Sequence, residues 1–224
     1  MESSSPRKAE RRIAPNVFFM DTLTERQKVF YDRIEAGKIL AQWLQQDWKV
    51  ASLPTRDGVH LDAVVFGIPS GGIPVAATIA KQLKLPLQVA VVSKILLPWN
   101  TEVGCGAVSF RQTKQLEEAI TKVSRRTKAF GDPPTILVGE ENKVVILVDD
   151  GLASGWTMTL AIEEFRKMGA KNIVVVVPTS SYDVILKIAE VADAVYCANI
   201  RHGSSFAVAA AYENCSHIAF LILE

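Results

Sequence analysis

VVILVDDGLASGWTM, residues 144–158, decides how this chain is read. An unbroken apolar run leads into Asp149 and Asp150. Gly151, Leu152, Ala153, Ser154 and Gly155 then make a small-residue turn before Trp156 and Thr157. An unbroken apolar run of this length marks a strand covered on both faces. The following TMTLAIEEFRKM has helical spacing, and Gly169 stands where a helix C-terminal glycine belongs.

The same alternation recurs on either side. Residues 63–68 (AVVFGI) read as a strand, PSGG as a turn and 73–83 as a helix. LQVAVVSK, 87–94, reads as the second strand. NIVVVVP, 172–178, and AVYCAN, 194–199, read as further strands, with a helix over 181–193 between them. A short helix over 206–212 and an edge strand over 217–223 close the chain. TLTERQKVFYDRIEAGKILAQWLQQD, 22–47, reads as one long amphipathic helix, with Thr22 and Glu25 as its capping box and Phe30, Ile34, Ala41 and Leu44 on one face. The expected fold class is α/β: a mainly parallel twisted sheet flanked by helices. A small hood comes from the N-terminal helix and the C-terminal segment. Residues 1–21 are expected to be a loose tail and 22–224 a single domain.

In such sheets ligands bind outside the carboxyl ends of the strands. That rule selects the turn of Ser70, Gly71 and Gly72, the end of the second strand at Lys94, and the turn of residues 149–157. Small residues let backbone N–H groups approach an anion, and a helix N-terminus adds positive dipole. Ser154 and Thr157 add hydroxyls. The turn therefore suits a phosphate monoester. It lacks the lysine of a P-loop, and no GxGxxG follows any strand. Two carboxylates beside a phosphate need partners of another kind, and ribose hydroxyls or a divalent metal meet that need.

The 224 residues carry a net charge of +1, with 49% hydrophobic and 22% charged residues, so no global field favours nucleic acid or membrane. The basic cluster of Arg7, Lys8, Arg11 and Arg12 reads as part of the solvated tail. The 3 cysteines show no metal-binding spacing, no apolar run reaches the roughly 18 residues of a span, and no signal peptide is evident, so the expected compartment is the cytoplasm.

The stretch 144–158 resembles the ribose-phosphate motif of type I phosphoribosyltransferases, and GIPSGGIPVA, 67–76, resembles their pyrophosphate loop. FYDRIEAGKILAQWL, PWNTEVGCGAV and FAVAAAYENCSHI are similar to a subgroup of that family whose acceptor is open; the likeness covers residues 28–110 and 143–218. The resemblance implies 5-phosphoribosyl 1-pyrophosphate as substrate, Mg2+ as cofactor, and transfer to a nitrogen base. It implies Asp149 and Asp150 on the ribose hydroxyls, and on the metal directly or indirectly. Residues Gly151, Leu152, Ala153, Ser154, Gly155, Trp156 and Thr157 take the 5′-phosphate, and Ser70, Gly71 and Gly72 the pyrophosphate. Asp149, Asp150 and Lys94 are the catalytic set.

A non-proline cis peptide in the pyrophosphate loop and a lid from residues 110–142 are further implications. Arg33, Asp32, Arg201 and His202 are hood residues for the acceptor, with Arg33 and His202 foremost; Tyr31, Trp99 and Phe206 are candidate stacking partners. Trp156 departs from the family's small residue, and Cys215 stands where an aromatic is expected. A homodimer is the expected assembly, the partners being small molecules rather than nucleic acid or membrane. The alternative is a non-catalytic module that senses the sugar pyrophosphate or a nucleotide.

Overall fold

The structure is a computed structural model and describes residues 13–50, 62–91, 96–97, 100–104, 121, 143–203 and 206–215. Six strands form one parallel sheet: β1 (Val17–Phe19), β2 (Ala63–Gly67), β3 (Leu87–Val89), β6 (Val144–Val148), β7 (Asn172–Ser181) and β8 (Ala194–Arg201). Their order is β1-β8-β7-β6-β2-β3. A short antiparallel pair, β4 (Leu96–Leu97) and β5 (Asn100–Gly104), stands apart. The helices are α1 (Arg33–Val50), α2 (Gly72–Leu83), α3 (Trp156–Lys167) and α4 (Tyr182–Ala189).

β6 is buried at every position because it lies inside the sheet with helices on both faces. Val145 and Leu147 join the core under α3 and α4, with Ile162, Phe165 and Ile185. Val144, Ile146 and Val148 join the core under α1 and α2, with Leu40, Leu44, Val75 and Ile79. α1 and α2 approach so closely that a Cβ on Gly37 would lie 2.7 Å from Thr78 Cβ. Chain direction across the sheet reverses between β2 and β6: β2 leads outward to β3, whereas β6 leads through β7 to β8. The crevice at such a reversal is where doubly wound sheets bind ligands. The sequence places the Ser70 turn at one lip and the acid pair at the other.

Several expectations need correction. The long helix starts at Arg33, not residue 22. Asp32 caps it, its Oδ1 accepting from Glu35 N at 2.8 Å, while Glu35 reaches back to Tyr31 N. Glu25 has φ 66°, so Thr22 and Glu25 form no capping box. Ile34 is 50% exposed and Phe30 precedes the helix; its buried face is Ala36, Leu40, Ala41 and Leu44. The tail expected over residues 1–21 contains β1, paired in register Val17↔Val195 to Phe19↔Cys197. α4 ends at Ala189, and β8 continues to Arg201. The edge strand expected over 217–223 lies outside the described residues. No helix among the described residues is long and apolar enough to cross a membrane.

Candidate functional site

Val148 ends β6, and the pleat no longer dictates where the next side chains go. Asp150 N donates to Asp149 Oδ1 at 2.9 Å, which folds the first carboxyl back over the second residue's backbone. The chain then crosses to β7: Leu152 N donates to Thr179 O at 3.0 Å, and Ser180 Oγ donates to Leu152 O at 3.3 Å. Leu152 is 2% exposed, so its side chain belongs to the core and its N–H is already used. Of the seven residues assigned to the phosphate, it is the one whose amide is committed to the scaffold.

Gly155 adopts φ 75°, which lets the chain turn into α3 without a Cβ cost. It is the N-cap residue and supplies no side-chain cap. The first amides of α3, at Trp156, Thr157 and Met158, have no intrahelical acceptor by position. They make a donor cluster with the positive end of the helix dipole behind it. Trp156 is 51% exposed, so its indole does not occupy the protein interior.

Across the crevice, the Pro69–Ser70 peptide is cis, as the resemblance implies. This turn lies directly against the acids. A Cβ on Gly71 would fall 2.2 Å from Asp150 Oδ2, and one on Gly72 would fall 2.6 Å from Val148 O. Only glycine allows that approach. Gly72 N donates to Ile68 O at 3.0 Å, so Ser70 and Gly71 hold the uncommitted amides of the turn among the described residues.

The hood reaches the same place. Arg33, the first residue of α1, donates from Nε to Asp150 Oδ2 at 2.8 Å, and its Nη2 forms an ion pair with the same oxygen at 2.7 Å. Its guanidinium lies 5.2 Å from the centre of the Tyr212 ring, and Tyr212 donates its hydroxyl to Asp150 O at 2.6 Å. Burial, then the charge of Asp150, pushes the Tyr212 phenol up and keeps it a neutral donor. Arg33, expected among the acceptor's hood residues, places its guanidinium on Asp150. Nothing local in the sequence announces this contact, which spans 117 positions.

His202, the other hood candidate, is tied elsewhere. Its backbone N donates to Glu25, its ring pairs with the same carboxylate, and it stacks on Tyr182 at 4.4 Å. Its hydrogen bond holds the Glu25 carboxyl below the usual range. Arg201, next door, has its guanidinium 5.8 Å from the Phe206 ring, and its Nη1 is buried without a hydrogen-bond partner. Thr179 Oγ1 and Asn199 Oδ1 are likewise buried and unpartnered at this end of β7 and β8. Tyr31 is exposed and Asp32 is spent as a helix cap. Cys215 packs beside the core of the α1–α2 face. Lys94, Trp99 and nearly all of the 110–142 segment lie outside the described residues.

Desolvation, and then the negative charge of Asp150, raises Asp149 well above the ordinary carboxylate value of 3.8. A raised acid binds its proton more tightly folded than unfolded. Its favourable contribution is complete below the unfolded value and is lost as pH rises through the folded one. Asp149→Asn removes that loss. In thermal melts across pH 4–9 the variant should gain on the parent protein as pH rises. A constant difference across the series would show that Asp149 is not desolvated.

The parallel α/β sheet gathers an acid pair, a glycine turn and an uncapped helix at its point of reversal, where doubly wound sheets bind ligands. Residues 34–183 match the family described as phosphoribosyl transferase domain, and the chain belongs to that family. A Mycobacterium tuberculosis protein whose name carries the words phosphoribosyl transferase is 32% identical over 208 residues, which cover 84% of this chain and 44% of that protein. The chain thus spans less than half the length of that relative. The bifunctional protein PyrR of Corynebacterium glutamicum is 28% identical over 140 residues, 62% of this chain and 63% of its own. The crystal structure of TT1426 from Thermus thermophilus superposes with a TM-score of 0.56 at 26% identity, covering 85% of this chain and 93% of its own.

Proposed function

We propose that the chain binds 5-phosphoribosyl 1-pyrophosphate and transfers its phosphoribosyl group to a nitrogen base, releasing pyrophosphate. The observation that carries this reading is the contact between the two lips of the crevice. Gly71 comes so close to Asp150 that a Cβ there would fall 2.2 Å from its Oδ2, and the donor cluster at the start of α3 follows the neighbouring strand. A phosphorylated pentose bearing an anomeric pyrophosphate has an anion at each end and a diol between, and this order of groups matches it.

In this reading the amides of Ala153 to Thr157, with the hydroxyls of Ser154 and Thr157, hold the 5′-phosphate. The amides of Ser70 and Gly71 meet the pyrophosphate. Asp149 and Asp150 orient the ribose and favour the positive charge that grows on it as the bond to pyrophosphate breaks. Positioned donors of this kind lower a barrier by about 3 kcal/mol each. Magnesium, when bound, offsets charge on the leaving pyrophosphate. Hard carboxylate oxygens suit it, and Asp149 and Asp150 would hold it directly or through the ribose hydroxyls they orient. Among the described residues no cluster of three metal-ligating side chains exists, which fits an ion that arrives with substrate phosphates rather than one caged by protein. Lys94 completes the proposed catalytic set. Arg201 replaces His202 as the foremost hood candidate for the acceptor, because its Nη1 is a buried cationic donor without a partner.

Thermal-shift measurements with the sugar pyrophosphate plus magnesium, followed by pyrophosphate release with a panel of purine and pyrimidine bases, test the reading. A shift without turnover on any base would favour the sensing alternative. Absence of any shift would remove the reading. Trp156→Ala keeps the backbone donor and should leave ribose 5-phosphate affinity within about threefold by calorimetry. A loss of tenfold or more would place the indole itself in the phosphate site.

A further inference from the structure

We infer that Arg33 is the positioning residue of the acid pair, selecting a sugar that carries both hydroxyls of a vicinal diol. The inference rests on the phosphoribosyl reading and deepens it.

Asp149 and Asp150 present two neighbouring carboxyl groups, of which Asp149 is held toward its protonated form. Asp149 Oδ1 accepts the backbone N–H of Asp150, and Asp150 Oδ2 accepts Nε of Arg33, with Nη2 of the same guanidinium ion-paired to it at 2.7 Å. The two carboxyls also hydrogen bond to one another, so the pair meets a ligand as one unit whose orientation follows from the oxygen that Arg33 holds. Two carboxyls on neighbouring residues match two neighbouring hydroxyls. Without Arg33 the Asp150 carboxyl is free to rotate and present either oxygen, and the match loses its definition.

The rest of the hood supports the same role. Arg33 holds Asp150 Oδ2 by a hydrogen bond from Nε and an ion pair from Nη2, a charge-assisted contact that restrains where this carboxyl points. The Tyr212 ring lies against the guanidinium and its hydroxyl holds the Asp150 carbonyl, so side chain and backbone of one residue are gripped from the same direction. Tyr212 in turn pairs with Phe30, and Asp32 caps the helix that Arg33 begins. The start of α1 is therefore anchored where its first side chain meets the crevice. Arg33 also supplies the positive charge that two carboxylates beside an anion site require.

Calorimetry with ribose 5-phosphate and 2-deoxyribose 5-phosphate tests this on the parent protein, Arg33→Met and Arg33→Lys. The parent should prefer the ribose compound by about tenfold or more, the loss of one hydrogen bond to a charged group. Arg33→Met should bring that ratio to within about twofold of unity, while its affinity for the deoxy compound changes far less. Arg33→Lys, with charge but no fork, should give an intermediate ratio. A merely structural role would weaken both ligands together and leave the ratio intact, and that result overturns the inference. Should Arg33→Met fail to fold, Arg33→Gln is read by the same ratio. A parent protein that binds neither compound removes the phosphoribosyl reading itself. A parent that discriminates, alongside an Arg33→Met that discriminates equally, removes only the role given to Arg33.

Discussion

Replacing Asp149 and Asp150 together by Asn should abolish the thermal stabilisation that the sugar pyrophosphate and magnesium confer. Each lost hydrogen bond to a charged acceptor is worth about 1.5–3 kcal/mol. Two of them amount to roughly two to four orders of magnitude in affinity. A ligand at one hundred times its dissociation constant stabilises a fold by about 2.7 kcal/mol, so a loss of that size leaves no measurable shift. The fold itself should persist. An amide oxygen at 149 can still accept from the backbone N–H of residue 150, and one at 150 can still accept from Arg33. Differential scanning fluorimetry with and without ligand reads both quantities. A double variant that responds like the parent would mean that the ligand sits elsewhere.

Gly71→Ala and Gly72→Ala should part company in a way that separates site from scaffold. At 71 the new methyl would lie 2.2 Å from Asp150 Oδ2 and 2.4 Å from its Cγ. A carboxylate can swing away, but in doing so it leaves Arg33. Ligand response is lost and stability falls modestly. At 72 the obstacles are Val148 O at 2.6 Å and Asp149 Cα at 2.8 Å, both backbone in the middle of the sheet's ligand end. They cannot yield, so the turn must lift from β6. Overpacking of this kind costs about 1–3 kcal/mol, which lowers the melting temperature by roughly 2–12 °C in a chain of this size. Gly72→Ala should thus lose both stability and ligand response. Equal melting temperatures for the two variants would show that the two lips are not packed as described.

Most of the sheet was readable because its strands are apolar runs with turn residues at both ends. Residues 63–68, 144–148 and 172–178 have few other ways to satisfy a backbone whose side chains all seek burial. The acid pair was readable for the opposite reason: Asp149 and Asp150 are costly at the end of such a run unless they face a ligand or a partner. β1 was not readable. Val17, Phe18 and Phe19 are too few to show a period, and they are a strand because β8 offers them a register and Tyr196 a ring to stack on at 4.7 Å. The start of α1 was misread because helical spacing continues upstream of it, whereas the boundary is set by Asp32 and Glu35 hydrogen bonding across the first turn.

By itself, then, the sequence determined the central strands, which turn carries the carboxylates, and that Ser70, Gly71 and Gly72 form a turn at a strand's carboxyl end. These follow from burial and backbone freedom within a dozen residues of each position. What Arg33 touches, which amides remain for a ligand, and which carboxylate His202 pairs with were decided only when the strands took their order. Hydrogen bonds between residues far apart in the chain depend on that order, and no local pattern encodes it.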